Sequence, residues 1–289
     1  MGLIMHDQSF LILGSGGQLG KAFKARLAAD GIPFLAPEEQ VCNITDARHM
    51  EKALAACEPT VLVNCAAYNA VDDAEANADL ADAVNHKAVR ALSKLCRANN
   101  ILMVHYGTDY VFDGKKHDIY DEDDAVNPLN VYGRSKLDGE RAVCDCAGEF
   151  LVFRPSWVFG EGAQNFITKL RGWAADNRVL RVSSDEASIP TGVDNIVDVT
   201  LRAVQHGLRG LYHLTNSGYA SRYEWARYVL ELLHLENVVM PVPMSAFRSK
   251  AERPLFTPMS NERLCGRLNI DIPHWKDAVR QHVLGSDHA

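Results

Sequence analysis

Tyr132 and Lys136 stand four residues apart in Val131-Tyr132-Gly133-Arg134-Ser135-Lys136. On a helix this spacing puts both side chains on one face. An ammonium beside a phenol stabilises the phenolate, and so lowers the phenol pKa from its usual value of about 10. Such a pair can deliver a proton near neutral pH, as general acid catalysis requires. The same spacing also occurs on amphipathic helices that do no chemistry, so the neighbouring segments decide its meaning.

A second constellation is built from glycine. Gly14-Ser15-Gly16-Gly17-Gln18-Leu19-Gly20 follows the apolar run Phe10–Leu13 and opens a helical pattern. Small residues let the backbone approach a pyrophosphate, and the helix N-terminus supplies N–H donors and partial positive charge. Gly14, Gly16, Gly17, Gln18 and Leu19 therefore read as a dinucleotide-binding turn in the strand–turn–helix context that the mechanism needs. Glu38 and Glu39 stand where an acid would grip the adenosine ribose, with no adjacent Arg, which leans toward NADH without excluding NADPH. Asn64-Cys65-Ala66-Ala67-Tyr68 closes another apolar run, its small residues allowing a nicotinamide nucleotide to pass close. Thr108-Asp109-Tyr110 closes a further one.

These segments need strands and helices to hold them. Apolar runs at 10–13, 32–36, 60–63, 101–106 and 150–153 read as strands. Helical patterns lie between them, at 47–56, at 79–98 and around Tyr132, with a first helix ended by Gly31. The alternation implies an α/β fold, a Rossmann-like doubly wound parallel sheet with ligands at the carboxyl ends of its strands. Beyond Gly160 the pattern loosens into helical stretches at 165–175 and 222–233, a strand at 210–214 and a cluster of prolines. The expected organisation is a dinucleotide-binding domain over 1–160 and a smaller substrate domain over 161–289, interleaved by returning a strand to the main sheet.

Composition excludes several classes. A chain of 289 residues that is 47% hydrophobic can bury a sizeable core and is not a disordered segment. Thirty Lys+Arg against 37 Asp+Glu give −7 with no basic run, which argues against a nucleic-acid partner. No stretch is long and apolar enough to span a membrane. His6 and Asp7 interrupt any signal peptide, and His6 stands where a myristoylation start after Met1-Gly2 wants Ser or Thr. Seven cysteines, an odd count with no Cys-x-x-Cys, suit a reduced, cytoplasmic compartment. Cys144-Asp145-Cys146 lacks further ligands nearby, so no metal site is assigned.

Together, the glycine turn, the strand-end segments and Tyr132-x-x-x-Lys136 resemble an extended short-chain dehydrogenase/reductase. Narrower phrases, Ala66-Ala67-Tyr68-Asn69-Ala70-Val71-Asp72-Asp73-Ala74-Glu75, Thr108-Asp109-Tyr110-Val111-Phe112-Asp113-Gly114, Asn130-Val131-Tyr132-Gly133-Arg134-Ser135-Lys136, Arg154-Pro155-Ser156-Trp157-Val158-Phe159-Gly160 and His213-Leu214-Thr215-Asn216-Ser217-Gly218-Tyr219, are similar to the dTDP-4-dehydrorhamnose reductase family. The resemblance spans about residues 10 to 270. It implies hydride transfer from NADH or NADPH to the C4 ketone of dTDP-4-dehydro-L-rhamnose. It further implies that Tyr132 protonates the nascent alkoxide. Lys136 then lowers the tyrosine pKa and holds the nicotinamide ribose, and Thr108 hydrogen-bonds the ketone oxygen. Thr108, Asp109, Tyr110 and Trp157 match substrate-binding positions. Asn43 and Ile44, with Cys65, Ala66, Ala67 and Tyr68, match cofactor-binding ones.

The chain departs from the family pattern in places. Asn43 replaces the usual Asp before Ile44, Asn195 replaces another Asp, and Gly107 replaces a common Ser. Some family members hold magnesium at a dimer interface, so the resemblance allows a homodimer, but no acidic pair here is assignable to the ion. Two other readings stay open: another nucleotide-sugar reductase or epimerase of the superfamily, and a non-catalytic regulator resembling the regulatory subunit of methionine adenosyltransferase. A single acid after Thr108 favours reduction over 4,6-dehydration, and the intact Thr108, Tyr132 and Lys136 favour catalysis.

Overall fold

Short apolar strands buried on both faces are the mark of a parallel sheet covered by helices on each side. The computed structural model describes residues 8–162 and 164–285; the residues weighed against a signal peptide and a myristoylation start, 1–7, lie outside them. β1 (Phe10–Leu13), β2 (Phe34–Leu35), β3 (Val61–Asn64), β4 (Leu102–Tyr106) and β5 (Phe150–Arg154) form the main sheet with a strand from far along the chain, Gly210–His213. All pair in parallel, in the order Gly210–His213, β5, β4, β3, β1, β2. β2 lies on one side of β1 and β3 to β5 on the other, so the direction of winding reverses between β1 and β3. The crevice beyond the carboxyl ends of these two strands is where an open α/β sheet binds its ligand.

Strand alternation sorts the core into two layers. Phe10, Ile12, Val63, Val104 and Phe153 pack with Phe23 and Leu27 of α1 (Gln18–Ala29) and with Ile196 of the helix Val193–Gln205. Leu11, Leu13, Leu62, Met103 and Val152 pack on the other face with Met50, Val89, Leu92 and Val143. Each such fully buried side chain stabilises by about 1.5–3 kcal/mol before chain entropy is subtracted. A third core, around Trp157, Phe159, Leu170, Trp225 and Val279, joins the helices Phe166–Asp176, Arg222–Leu232 and Trp275–Gly285. Beside it Val179–Ser183 pairs in parallel with Val238–Val242.

Three sequence expectations change. The pattern over 79–98 is not one regular helix: Ala78–Asp82 and Val89–Ala98 are α-helical, and a π-helical turn, Ala83–Ala88, lies between them. Asn85 sits buried in that turn, bonded to two other segments, a demand that hydrophobic periodicity does not report. The second strand is two residues rather than 32–36, because β2 is an edge strand that pairs only with β1. The glycine turn is also shorter than 14–20, since α1 already begins at Gln18.

Candidate active site

β1 runs into Gly14 at φ +72°, a region that glycine occupies without steric penalty. A Cβ there would lie 2.5 Å from the Ala66 nitrogen, so the turn passes directly against the segment after β3. A Cβ on Gly20 would lie 2.4 Å from the Gly14 carbonyl oxygen, so α1 packs onto its own turn. Gly16 differs: nothing lies within 4 Å of a Cβ placed on it, so its smallness preserves open space. Gly17 donates its N–H to the Gly14 carbonyl at 3.1 Å and caps α1 with no side chain. The first turn of α1 carries no acidic residue, so its N–H groups and dipole present positive potential at the crevice, as a pyrophosphate requires.

Side chains brace this turn. Ser15 Oγ donates to the Pro37 carbonyl at 2.8 Å. Asn165 Nδ2 donates to Gln18 Oε1 at 3.2 Å, to the Gly160 carbonyl at 2.7 Å and to the Gly162 carbonyl at 2.9 Å, tying the loop after 160 to the start of α1. Asn43 lies on a separate, exposed loop, where its Oδ1 accepts from the Thr45 N–H at 2.9 Å and the Thr45 hydroxyl at 2.8 Å. Ile44 is buried in the second core layer.

After β3, Cys65, Ala66, Ala67 and Tyr68 line the crevice half-buried. Asn85 holds this segment from the π-helical turn: its Oδ1 accepts from the Tyr68 N–H at 2.8 Å and its Nδ2 donates to the Tyr68 carbonyl at 3.1 Å. The same Nδ2 donates to Ser135 Oγ at 3.0 Å on the helix Val131–Cys146. Gly139 permits the contact, since a Cβ there would lie 2.0 Å from the Asn85 carbonyl oxygen.

The helix Val131–Cys146 starts at Asn130, whose Oδ1 accepts from the Gly133 N–H at 2.7 Å. Gly133 lets it press on the short 3-10 turn Asp109–Val111, where a Cβ would meet the Tyr110 carbonyl oxygen at 2.4 Å. Tyr132 and Lys136 are thereby brought to the end of β4, 9% and 3% exposed. Lys136 Nζ donates to the Tyr106 carbonyl at 2.5 Å. Burial lowers the Lys136 pKa to about 8, against the opposing pull of Glu140. Burial pushes the Tyr132 phenol up to about 12; bonding to the Thr108 hydroxyl works against this and Asp109 adds to it. The expected lowering of the phenol pKa by Lys136 is thus overturned, because the ammonium is directed to a backbone carbonyl and burial dominates the phenol. At neutral pH Tyr132 therefore carries its proton.

Thr108 Oγ1 accepts from the Tyr110 N–H at 3.2 Å and donates to Asp109 Oδ1 at 3.3 Å. Asp109 is 2% exposed, and its Oδ2 accepts from Thr257 at 2.7 Å and Ser188 at 2.9 Å, residues of the later half of the chain. Burial raises its pKa to about 6 in spite of those hydroxyls. The Tyr110 hydroxyl accepts from Arg253 Nη1 at 2.9 Å, and Arg253 Nη2 donates to Asp72 at 2.9 Å. The rings of Tyr110 and Tyr132 meet edge to face at 5.7 Å. Trp157 has φ +40°, a strained value for a bulky residue. The Arg222 guanidinium lies 3.6 Å from the centre of its ring and Trp225 stacks at 5.7 Å.

Cys65, Thr108, Asp109, Tyr110, Tyr132 and Lys136 thus gather at the ends of β3 and β4, and Arg222 links Trp157 electrostatically to Asp109. Sequence reasoning missed Asn85, Ser135, Ser188, Arg222, Arg253 and Thr257. For Asn85 alone Gly139 was an available signal, because glycine inside a helix costs about 1 kcal/mol and persists where another backbone comes close. Among the described residues no cluster of His, Cys, Asp or Glu could hold a metal ion, and no helix is long and apolar enough to cross a membrane.

The family profile described as the RmlD substrate binding domain matches residues 8–286. A dTDP-4-dehydrorhamnose reductase of Burkholderia thailandensis is 36% identical, with 93% of this chain and 96% of that protein covered. The crystal structure of a dTDP-4-dehydrorhamnose reductase from Clostridium acetobutylicum superimposes with a TM-score of 0.93 at 28% identity, covering 96% of this chain and 99% of that one. The Bacillus anthracis dTDP-4-dehydrorhamnose reductase, solved in complex with NADP, gives 0.92 at 27% identity, again covering 96% and 99%.

Proposed function

We propose, for a chain that belongs to the RmlD substrate binding domain family, the reduction of the C4 ketone of dTDP-4-dehydro-L-rhamnose to dTDP-L-rhamnose with NADPH or NADH. The observation that carries this reading is the buried Thr108, Tyr132 and Lys136 cluster beside a glycine turn shaped for a pyrophosphate. The reductase relatives and the NADP held by the Bacillus anthracis protein support it.

The nicotinamide, when bound, supplies the hydride for C4. Gly14, Gly16, Gly17 and the N–H groups of Gln18 and Leu19 hold the pyrophosphate, and Cys65 to Tyr68 border the nicotinamide end. Thr108 turns its one hydroxyl proton from Asp109 to the ketone oxygen, where negative charge develops, an effect worth about 3 kcal/mol when one such donor is removed. Tyr132, protonated at neutral pH, gives its proton to that oxygen, and the alcohol forms. Lys136 holds the ribose hydroxyls. Residues 1–160 carry the dinucleotide in this reading and 161–289 shape the sugar pocket through Trp157's neighbour Arg222. The seven unpaired cysteines support a reduced, cytoplasmic setting.

The test is a matrix of 4-keto nucleotide sugars against NADH and NADPH, followed by the loss of nicotinamide absorbance. Turnover of dTDP-4-dehydrorhamnose is expected. Folded protein that turns over no member of the matrix with either cofactor rejects the reading, and turnover confined to another sugar replaces the substrate.

A further inference from the structure

We propose that the buried Glu140–Arg154 pair is a positioning unit for this reaction, in which Glu140 keeps Lys136 in its ammonium form and Arg154 keeps Glu140 in place. The inference rests on the reading of Lys136 as an active-site residue. Arg154 Nε donates to Glu140 Oε2 at 2.8 Å and Nη2 to Oε1 at 2.6 Å, a two-pronged contact between side chains that are each 4% exposed. A buried pair of this kind is weak evidence for stability, since an apolar pair of similar volume often serves as well. Its position suggests a different use.

Glu140 lies one helical turn from Lys136, on the same face. The pair also backs the strand end that carries the chemistry. A Cβ on Gly107 would lie 3.0 Å from Glu140 Oε2 and 3.2 Å from Arg154 Cγ, and Gly107 stands between the Tyr106 carbonyl that Lys136 grips and Thr108. Several groups face Lys136. The Tyr106 carbonyl and the His105 imidazole come from β4, the Cys65 thiol from the end of β3, and Glu140 from its own helix, on which Tyr132 stands one turn before Lys136. Arg154 stands behind Glu140 on β5. His105 is neutral, because burial and the Lys136 charge push its pKa well down. Its Nδ1 accepts from Asn64 Nδ2 at 3.2 Å, since Asn64 Oδ1 is taken by the Ala66 N–H. His213, lowered to about 3 by burial, is also neutral, and its Nε2 accepts from Arg154 Nη1 at 3.4 Å. Asp109 acts on Tyr132 instead. Glu140 is therefore the carboxylate among the described residues that opposes the cost of burying the Lys136 charge.

The experiment compares the pH profile of kcat/KM with the titration of Lys136, followed by NMR of its ε-carbon, in the full-length protein. In the wild type the charge of Lys136 is lost as pH rises through about 8, so both readouts should fall there. Glu140→Gln should move both to lower pH by about one unit and raise the KM for the cofactor. Glu140→Asp should keep them near the wild-type position while losing stability. The double variant E140Q/R154Q removes both charges, so no lone Arg154 is left in the core; it should fold and still show the acid-shifted limb. If Glu140→Gln does not fold, the double variant alone decides. A folded double variant, or a folded Glu140→Gln, with the wild-type limb and Lys136 titration overturns the proposal, as does a limb that follows stability rather than charge. Because the NMR titration needs no turnover, it still tests the pair if the wild type proves inactive, which would reject only the proposed reaction.

Discussion

The glycine turn and the Tyr132–Lys136 cluster lie at the ends of β1 and β4, with β3 between them, but are made differently. The turn is backbone geometry: Gly14, Gly20 and the N–H groups of α1 act through what they lack. The cluster is side-chain chemistry in a buried setting, and its protonation is set by burial and by partners on its own helix and beyond the strand ends. A backbone device is local and tolerates few residue types. A buried electrostatic device is distributed, and any of several distant groups can detune it.

Four substitutions test that contrast. Tyr132→Phe should lower kcat by about 10²–10⁴-fold while cofactor affinity stays within about threefold, because it removes the proton and little else. Loss of cofactor binding in a fluorescence titration would place the tyrosine among binding groups and blur the division. Gly14→Ala should cost at least about 2 kcal/mol in thermal or denaturant unfolding, since it combines a left-handed φ with a clash against backbone that cannot step aside. A full-strength wild-type melting curve would mean the turn is not rigid.

Asp109 gives a pH-dependent comparison. Its folded pKa of about 6 lies above the ordinary value of 3.8, so the folded state binds that proton more tightly. The resulting stabilisation is present below about pH 4 and fades as pH rises to about 6. Asp109→Asn should remove that falling component, on the order of 1–3 kcal/mol, from the melting profile. An unchanged slope across that window would show that the carboxyl titrates normally. Gly16→Ala should have the smallest effect on stability, within about 0.5 kcal/mol, because its Cβ would meet nothing. It should nevertheless weaken cofactor binding, and equal loss in both measurements would remove the distinction between glycines that pack and glycines that leave room.

The same contrast explains what was readable from residues alone. Phe10–Leu13 and the glycines behind it announced a strand, a turn and a helix because each signal is local. Tyr132 and Lys136 were visible as a spacing, yet the direction of the phenol's shift was not, since it depends on the Tyr106 carbonyl that takes the ammonium and on burial against Ala74, Ala81 and Tyr110. Asp109 looked like a pocket residue, and its hydroxyl partners Ser188 and Thr257 lie 79 and 148 positions away. Periodicity announced a helix over 79–98 but gave no sign of the change of pitch at Asn85.

That change of pitch makes chain length itself a constraint. The π-helical turn Ala83–Ala88 holds one more residue than a regular α-helical path would need. Loss of one codon there would restore regular winding and rotate the preceding segment by about 100° against the following one. Ala81, packed beside Tyr110 and Tyr132, and Val89 and Leu92, packed under the sheet, could not then both keep their neighbours. Selection at this point is therefore expected to tolerate spelling changes at the exposed Lys87 while rejecting any single-residue insertion or deletion.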